Sequence, residues 1–198
     1  ALLQSLLEAG VKVRSSQNSF TARTQFSGEV EFPPGSIVIP AGPARLKQPN
    51  NLVSLIKQKA QPLGMSVYGI KSGLTPAGSD LGSRGISPIS MPKVLIVGGK
   101  GTREYEVGEM WHYFDTRVGL PTTIIEQRNL LQALQGDYTH ILFPSGRFEL
   151  SQNTKDILID WVKQGGVLIG QKSALRYFSA NSWLNIDVLL REEIDNLF

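Results

Sequence analysis

An apolar, β-branched run ends in a glycine-rich turn at residues 92–101 (PKVLIVGGKG). The half of the chain that follows alternates between strand-like and helix-like patterns. Its strands are predicted at residues 93–97, 122–126, 138–143 and 167–170. This alternation predicts an α/β fold with a doubly wound, mostly parallel sheet over residues 92–198. Ligands of such a sheet bind in the crevice beyond the carboxyl ends of its strands, so we expect any site to lie there.

Helices are predicted between and after these strands from apolar side chains at helical spacing. The clearest of them carries Leu158 and Trp161 on one stripe, with Ser151 or Asn153 as its N-cap and Gly165 as its stop. The predicted helices span residues 107–118, 129–135, 154–164 and 183–198.

The first half of the chain has shorter elements. A helix over residues 1–9 is followed by a strand from Val11, and a second helix runs from a cap at Asn50 or Asn51 to Ala60. Further strands are predicted at residues 20–24, 28–32, 36–39 and 65–70. Glycine, serine and proline dominate the next stretch. We therefore predict a small α/β segment at 1–71, a Gly/Ser/Pro-rich connection at 72–91 and an α/β domain at 92–198.

The composition narrows the classes of function. With 41% hydrophobic and 19% charged residues, the chain has the composition of a folded globular protein. No apolar stretch approaches the ~20 residues of a membrane-spanning helix, and the basic residues are scattered, so we predict neither a membrane span nor a nucleic-acid partner. The absence of cysteine excludes thiol chemistry. Because the chain begins in an apolar helical pattern without Met, we expect it to be part of a longer protein.

The glycines of the turn at 98–101 invite comparison with phosphate-binding loops, in which backbone N–H groups approach an anion at a helix N-terminus. The spacing does not match those loops. A P-loop that starts at Gly98 needs glycine at position 103 and finds Arg103, and a dinucleotide fingerprint that starts at Gly99 finds Glu104. The sequence therefore favours a tight turn.

Few residues could hold a metal. His112 and Asp115 share a face of a predicted helix, but a third ligand is missing, and His140 lies on a predicted strand with nothing to tie it to that helix. We predict no metal site. Glu104, Glu106 and Glu109 start the same helix, where carboxylates meet the helix dipole favourably, which is a sufficient structural reason for them.

Ser145 follows a predicted strand and precedes Gly146, a place where a parallel sheet could present a nucleophilic hydroxyl. The nucleophile elbow of hydrolases requires glycine two residues before the serine, and Phe143 stands there. Residues 144–146 are therefore interpreted as a turn that ends the strand.

Three segments of the second half are informative together: PKVLIVGG, THILFPSG and WVKQGGVLIGQKSALRYF. As one unit over residues 92–178 they resemble the class I glutamine amidotransferase-like fold, which is flavodoxin-like. In that fold an apolar strand runs into Gly-x-Cys-x-Gly, which corresponds here to Ile169-Gly170-Gln171-Lys172-Ser173. Gln171 stands where the cysteine would be, both flanking glycines are substituted, and no histidine follows His140. A carboxamide cannot replace a thiolate, so the resemblance implies this fold without its catalytic set.

A second resemblance covers nearly the whole chain. It is carried, in order, by FPPGSIVIPAGP, GSDLGS, PKVLIVGG, YEVGEMWHYFD with LPTTII, and WVKQGGVLI. This series is similar to the C-terminal region of large bacterial zinc carboxypeptidase-like proteins, which carry a carboxypeptidase A-like metallopeptidase domain first and an amidotransferase-like domain last.

This second resemblance implies an exported protein, periplasmic or secreted. In that family a His-x-x-Glu pair and a distant histidine hold zinc in the catalytic domain; here His112 is followed by Asp115 and belongs to the other domain. The resemblance therefore implies no cofactor in these residues and zinc only in an absent catalytic domain. That domain and a peptide substrate are the implied partners.

Three functions stay open at this point. The first is a non-catalytic accessory domain of a zinc carboxypeptidase-like protein, which supports the catalytic domain or binds substrate. The second is an independent hydrolase or transferase that uses Ser145 with His112 or His140 and one of the acidic residues. The third is a sensor or scaffold that binds a small ligand or another protein without turning it over. We predict no catalytic residue. The residues predicted to line the crevice are Gly98, Gly99, Lys100, Gly101, Ser145, Gly146, Arg147, Gln171, Lys172 and Ser173.

Overall fold

The computed structural model describes residues 2–42, 47–186 and 189. It is an α/β protein in which the chain divides into two compact units, with the boundary between Met91 and Pro92. No helix of the described residues is long and apolar enough to cross a membrane.

The first unit contains two small antiparallel sheets and two helices. The strands are ordered β4-β1-β6 in one sheet and β3-β2-β5 in the other. A single turn of 3₁₀-helix, Gln61–Leu63, follows the second helix. The elements are α1 (Leu2–Glu8), β1 (Val13–Ser16), β2 (Phe20–Thr24), β3 (Gly28–Phe32), β4 (Ile37–Val38), α2 (Leu52–Ala60), β5 (Ala77–Gly78) and β6 (Ile86–Ile89).

Two apolar clusters form the core of this unit, and the first joins the two sheets through β2 and β6. In β2 the side chains alternate, so Phe20 and Ala22 point inward and pack with Ile86, while the residues between them are more exposed. A second cluster joins Leu6 of α1 to Val13 of β1 and Leu52 of α2.

The strands predicted at 20–24 and 28–32 are confirmed. The strand predicted at 65–70 is wrong: Met65 to Gly69 form no strand, and Ile70 makes only an isolated bridge to Thr24. This segment is exposed and finds no neighbouring strand to complete a ladder, although its apolar pattern suits one. The Gly/Ser/Pro-rich residues 72–91 contribute β5 and β6 to the two sheets.

The second unit is a four-stranded parallel sheet with interleaved helices, in the order β10-β9-β7-β8. The helix α3 continues into a π-helical segment, Tyr113–Val118, and a 3₁₀ turn, Gln127–Asn129, precedes α4. The elements are β7 (Val94–Gly98), α3 (Glu104–His112), β8 (Thr122–Glu126), α4 (Leu130–Ala133), β9 (His140–Phe143), α5 (Gln152–Lys163), β10 (Val167–Gly170) and α6 (Ser173–Ala180).

The central strand β7 is buried at every residue, which explains its unbroken apolar sequence. On one face, Leu95 and Val97 join a cluster that includes Leu158 of α5 and Phe178 of α6. On the other face, Gly98 approaches Val107 of α3 so closely that a Cβ would lie 3.3 Å from the valine side chain.

The strand order positions the site. From β7 the chain moves to the neighbouring β8, and it then crosses β7 to form β9 on the other side. The helices that follow β7 and β9 therefore run to opposite sides of the switch in strand order, the place where ligands of doubly wound sheets bind. The end of the sheet at Gly98, Phe143 and Gly170 is termed the carboxyl edge.

The predicted parallel sheet is confirmed. Among the helices, α3 begins at Glu104, earlier than predicted, and α6 was not predicted. Of the helix predicted at 183–198, residues 183–186 are not helical, and 187, 188 and 190–198 lie outside the described residues. Among the described residues a helix forms earlier, at Ser173–Ala180, where Ala174 and Phe178 bury one face against the sheet.

Candidate functional site

A buried carboxylate lies at the carboxyl edge. Glu106, in the first turn of α3, is only 7% exposed. Its Oε2 accepts hydrogen bonds from the backbone N–H of Ser145 at 2.8 Å and from Nε2 of Gln171 at 3.1 Å. Its Oε1 lies 2.8 Å from Nζ of Lys172. Three chain segments that are distant in sequence therefore converge on one carboxyl group.

These donors determine the ionisation of Glu106. The hydrogen bond from Lys172 is the main cause that lowers the pKa of the carboxyl group from 4.5 to about 2, against the opposing effect of burial. The N–H of Ser145 and the amide of Gln171 lower the pKa further. Glu106 is thus a fixed anion at neutral pH.

Lys172 adopts a rare backbone conformation. It stands between β10 and α6 with φ 51° and ψ −117°, outside the regions that side-chain-bearing residues normally occupy. Such strained residues concentrate at functional sites, and a sharp strand-to-helix turn of this kind presents its side chain above the sheet. The side chain is 66% exposed, so its ammonium contacts Glu106 on one side and solvent on the other.

Two serine hydroxyls form the neighbouring part of the site. Oγ of Ser145 and Oγ of Ser173 are 2.8 Å apart, and the Ser173 oxygen accepts a hydrogen bond of 2.8 Å from the N–H of Gly146. The backbone of Ser145 is tied to Glu106, as described above. The set Glu106, Ser145, Gln171, Lys172 and Ser173 is termed the edge cluster.

The glycine-rich turn is held against the edge cluster by backbone contacts. Thr102 and Gly146 form an antiparallel bridge. Beside it, the N–H of Arg103 donates to the carbonyl of Ser145 at 2.9 Å and the N–H of Arg147 donates to the carbonyl of Gly101 at 2.8 Å. The turn at 98–101 therefore contacts the rest of its chain through the carbonyl groups of Gly99, Lys100 and Gly101.

Of the ten residues predicted to line the crevice, nine lie in strand ends, turns or loops at the carboxyl edge and Ser173 begins α6, but they differ in what they do. Gly98 and Gly99 serve close packing, because a Cβ would lie 2.9 Å from Ile124 and 2.6 Å from Glu126, respectively. The carbonyl of Lys100 accepts a hydrogen bond from Gln127. Ser145, Gly146 and residues 171–173 make the polar contacts of the edge cluster.

The histidines lie away from the edge cluster. His140 is the first residue of β9, about 10 Å along the strand from its carboxyl end, and its Nδ1 pairs with the hydroxyl of Thr139 at 2.8 Å. His112 ends α3, about 9 Å along the helix axis from Glu106. Within the described part of the chain, no three His, Cys, Asp or Glu side chains group as metal ligands.

Two features of the site were not predicted. The sequence explained Glu106 by the helix dipole, and it does lie in the first turn, but its contacts are with Lys172, Gln171 and Ser145. The bridge between Thr102 and Gly146, with its two flanking backbone hydrogen bonds, was also missed. The sequence did contain one indication of these features: their residues follow the ends of strands, and the topology brings those strand ends together.

A fall in pH is expected to destabilise the second unit, because it protonates the carboxylate of Glu106. Because the folded-state pKa is depressed, the stabilisation from this group is fully present above pH 4.5 and is lost as the pH falls towards about 2. Urea unfolding followed by tryptophan fluorescence over this pH range measures the loss, since all three tryptophans, Trp111, Trp161 and Trp183, lie in this unit.

The substitution Glu106→Gln should flatten this pH dependence, because the amide cannot titrate. The matched control is Glu109→Gln, which changes an exposed acid on the same helix and should leave the profile as it is in the wild type. An unchanged profile in the Glu106 variant would show that the carboxylate is not the stabilising group.

Comparison of the chain with protein-family models, with curated proteins and with solved structures finds no match. Functional conclusions therefore depend on the geometry of the edge cluster and on the sequence resemblances.

Proposed function

We propose that the second unit is a non-catalytic binding domain with a doubly wound, flavodoxin-like fold of the class I glutamine amidotransferase-like type. We further propose that it is an accessory domain of an exported zinc carboxypeptidase-like protein, whose zinc and peptidase chemistry belong to a catalytic domain outside these residues. The strand order β10-β9-β7-β8, with its crossing between β8 and β9, supports the fold assignment.

One observation carries the non-catalytic assignment: the strained strand-to-helix turn presents a lysine that is paired with Glu106. In the amidotransferase-like fold this turn presents the cysteine nucleophile; here the rare backbone conformation belongs to Lys172, one residue after Gln171. An ammonium group held in an ion pair has no lone pair for attack. A carboxylate with a pKa of about 2 and three donors is a poor general base at neutral pH.

The geometry does not favour a serine hydrolase. The hydroxyl of Ser145 pairs with that of Ser173, whereas a nucleophilic serine needs a general base within hydrogen-bond distance. His140 lies at the opposite end of its strand and His112 at the far end of α3. The crevice is therefore proposed to hold a ligand without transforming it.

A hydrolysis assay tests the non-catalytic proposal. The chain is incubated with an activated ester, with glutamine and with a peptide that has a free C-terminus, the last with and without added Zn²⁺. We expect no product above the blank, and the same result for Ser145→Ala. Turnover by the wild type that disappears in the serine variant would overturn the proposal.

The gene tests the accessory role separately. Upstream of the codon for Ala1, we expect a signal peptide and a His-x-x-Glu motif followed by a later histidine. A start codon directly before Ala1 would contradict the proposed role.

A further inference from the structure

We propose that the exposed residues 65–69 of the first unit are a docking site for an extended, acidic segment of another protein, which adds to them as a β-strand. Residues 65–69 are termed the docking segment. The proposal concerns a surface other than the edge cluster, so it does not depend on the function proposed for the second unit.

The first observation is that backbone groups of the docking segment are left unpaired. Among the residues that the structure describes, the N–H and carbonyl groups of residues 66–68 make no hydrogen bond with another backbone group. At the next residue, the carbonyl of Gly69 accepts from the N–H of Gln25 at 2.9 Å, and Ile70 then bridges Thr24 of β2. Unpaired backbone groups beside a β-bridge are a template for a further strand.

The second observation is an apolar groove along the docking segment. Met65 and Val67 line it together with Ala60 at the C-terminal end of α2, and its volume is about 330 Å³. Both Met65 and Val67 line this groove and Ser66 does not, so the side chains alternate as they do in a strand. In strand addition, backbone hydrogen bonds hold the added chain, while pockets of this kind take its alternate side chains.

The third observation is the charge around the groove. Between Glu31 and Asp80 the sequence contains five basic residues and no acidic residue. One of the five, Lys57, lines the groove, and another, Lys71, follows the docking segment closely. In the part of the chain that the structure describes, neither lysine has a carboxylate within 4.0 Å. Because partners at an interface have complementary potentials, an occupant with carboxylate side chains fits this surface.

The same observations disfavour two other occupants. In a two-fold dimer of this chain the basic surface would face its own copy, and like charges that face each other across an interface cost free energy. A lipid membrane could take up the side chains of Met65 and Val67, but its hydrocarbon offers no partner for the unpaired backbone groups of residues 66–68. An added strand satisfies both the backbone groups and the groove.

The test is an NMR titration of the ¹⁵N-labelled chain with a peptide of alternating valine and threonine that carries two glutamates at each end. The peptide is acetylated and amidated, so its only carboxylates are side chains. We expect the amide resonances of residues 66–68 to move downfield and their hydrogen exchange to slow, because these groups gain hydrogen-bond partners. Added salt should weaken the binding. Unchanged amides at a saturating concentration of peptide would overturn the proposal.

Two matched peptides separate the role of charge from that of backbone pairing. With lysines in place of the glutamates, binding should weaken at least about tenfold, since repulsion replaces attraction. N-methylation of the central amides keeps the charge but removes the donors, and it should abolish binding. Equal affinity for the lysine peptide would refute the acidic occupant, and equal affinity for the methylated peptide would refute strand addition.

Variants of exposed residues locate the site. Lys57→Glu should weaken binding of the glutamate peptide and strengthen binding of the lysine peptide, a reversal that loss of folding cannot produce. Val67→Ser should weaken binding of the glutamate peptide about threefold to tenfold, because it removes an apolar contact of the groove. Wild-type affinities in both variants would refute the assignment.

The matched control for the lysine variant is Lys12→Glu. The N–H of Lys12 pairs with Gln48, which precedes the N-terminus of α2, whereas the groove lies at the C-terminal end of that helix. We therefore expect affinity close to that of the wild type. Phosphatidylglycerol vesicles that shift the amides of residues 66–68 where the peptide does not, or dimerisation of the chain through these residues, would refute the acidic strand as occupant.

Discussion

Replacing Phe143 by alanine is expected to lower the free energy of unfolding of the second unit by about 3–5 kcal/mol. The ring is completely buried at the end of β9 and makes edge-on contacts with Phe148 and Phe178, at centroid distances of 4.9 and 5.4 Å. The cavity left by truncation would lie in the middle of the cluster that joins the sheet to α5 and α6. Urea unfolding followed by tryptophan fluorescence measures the loss.

Tyr105→Ala is the control for Phe143→Ala. This aromatic side chain lies in the same unit and is 90% exposed, so its removal should change the free energy by no more than about 0.5 kcal/mol. A loss at Phe143 as small as that at Tyr105 would mean that the aromatic cluster does not hold this unit together.

Gly101→Ala is the second substitution with a large expected effect. It should lower the free energy of unfolding of the second unit by about 1–3 kcal/mol. Gly101 has φ +92°, where a residue with a Cβ is strained, and the added Cβ would lie 2.6 Å from the carbonyl oxygen of Arg147. Because that carbonyl belongs to the backbone beside the Thr102–Gly146 bridge, relief of the clash should separate the glycine-rich turn from the edge cluster. Thermal unfolding measures the lost stability, and the amide resonances of Thr102 and Gly146 report the separation of the bridge.

Gly108→Ala is the control for Gly101→Ala, and we expect it to raise the stability where Gly101→Ala lowers it. Gly108 lies inside α3, and a Cβ there would meet nothing within 4 Å. Alanine should therefore raise the stability by about 0.5–1 kcal/mol, because it restricts the unfolded chain and favours the helix. A similar loss from both glycine variants would contradict the close approach at Gly101.

Local patterns predicted the elements that depend on local burial. The strand β7 is apolar throughout because both of its faces are covered, and β2 alternates because one face is covered. The segment from Met65 to Gly69 has a similar pattern but lacks a neighbouring strand, which no local pattern reveals. The helix α6 has only eight residues, and its two buried side chains, Ala174 and Phe178, give a weak periodic signal.

The sequence predicted where the site lies, but it did not predict which contacts its side chains make. Parallel strands end at the same edge, so residues after β7, β9 and β10 could be grouped before any contact was known. The pairing of Glu106 with Lys172 spans 66 residues and depends on the strained backbone of the lysine. The segments around Thr102 and Gly146 lie far apart in sequence and are joined only by the bridge between them.

A crystal structure of the chain grown with N-acetyl-dialanine tests most directly whether the edge cluster binds a ligand without reacting with it. We predict an intact dipeptide at the carboxyl edge, with Lys172 still paired to Glu106. A cleaved ligand, or one joined covalently to Ser145 or Lys172, would contradict the account.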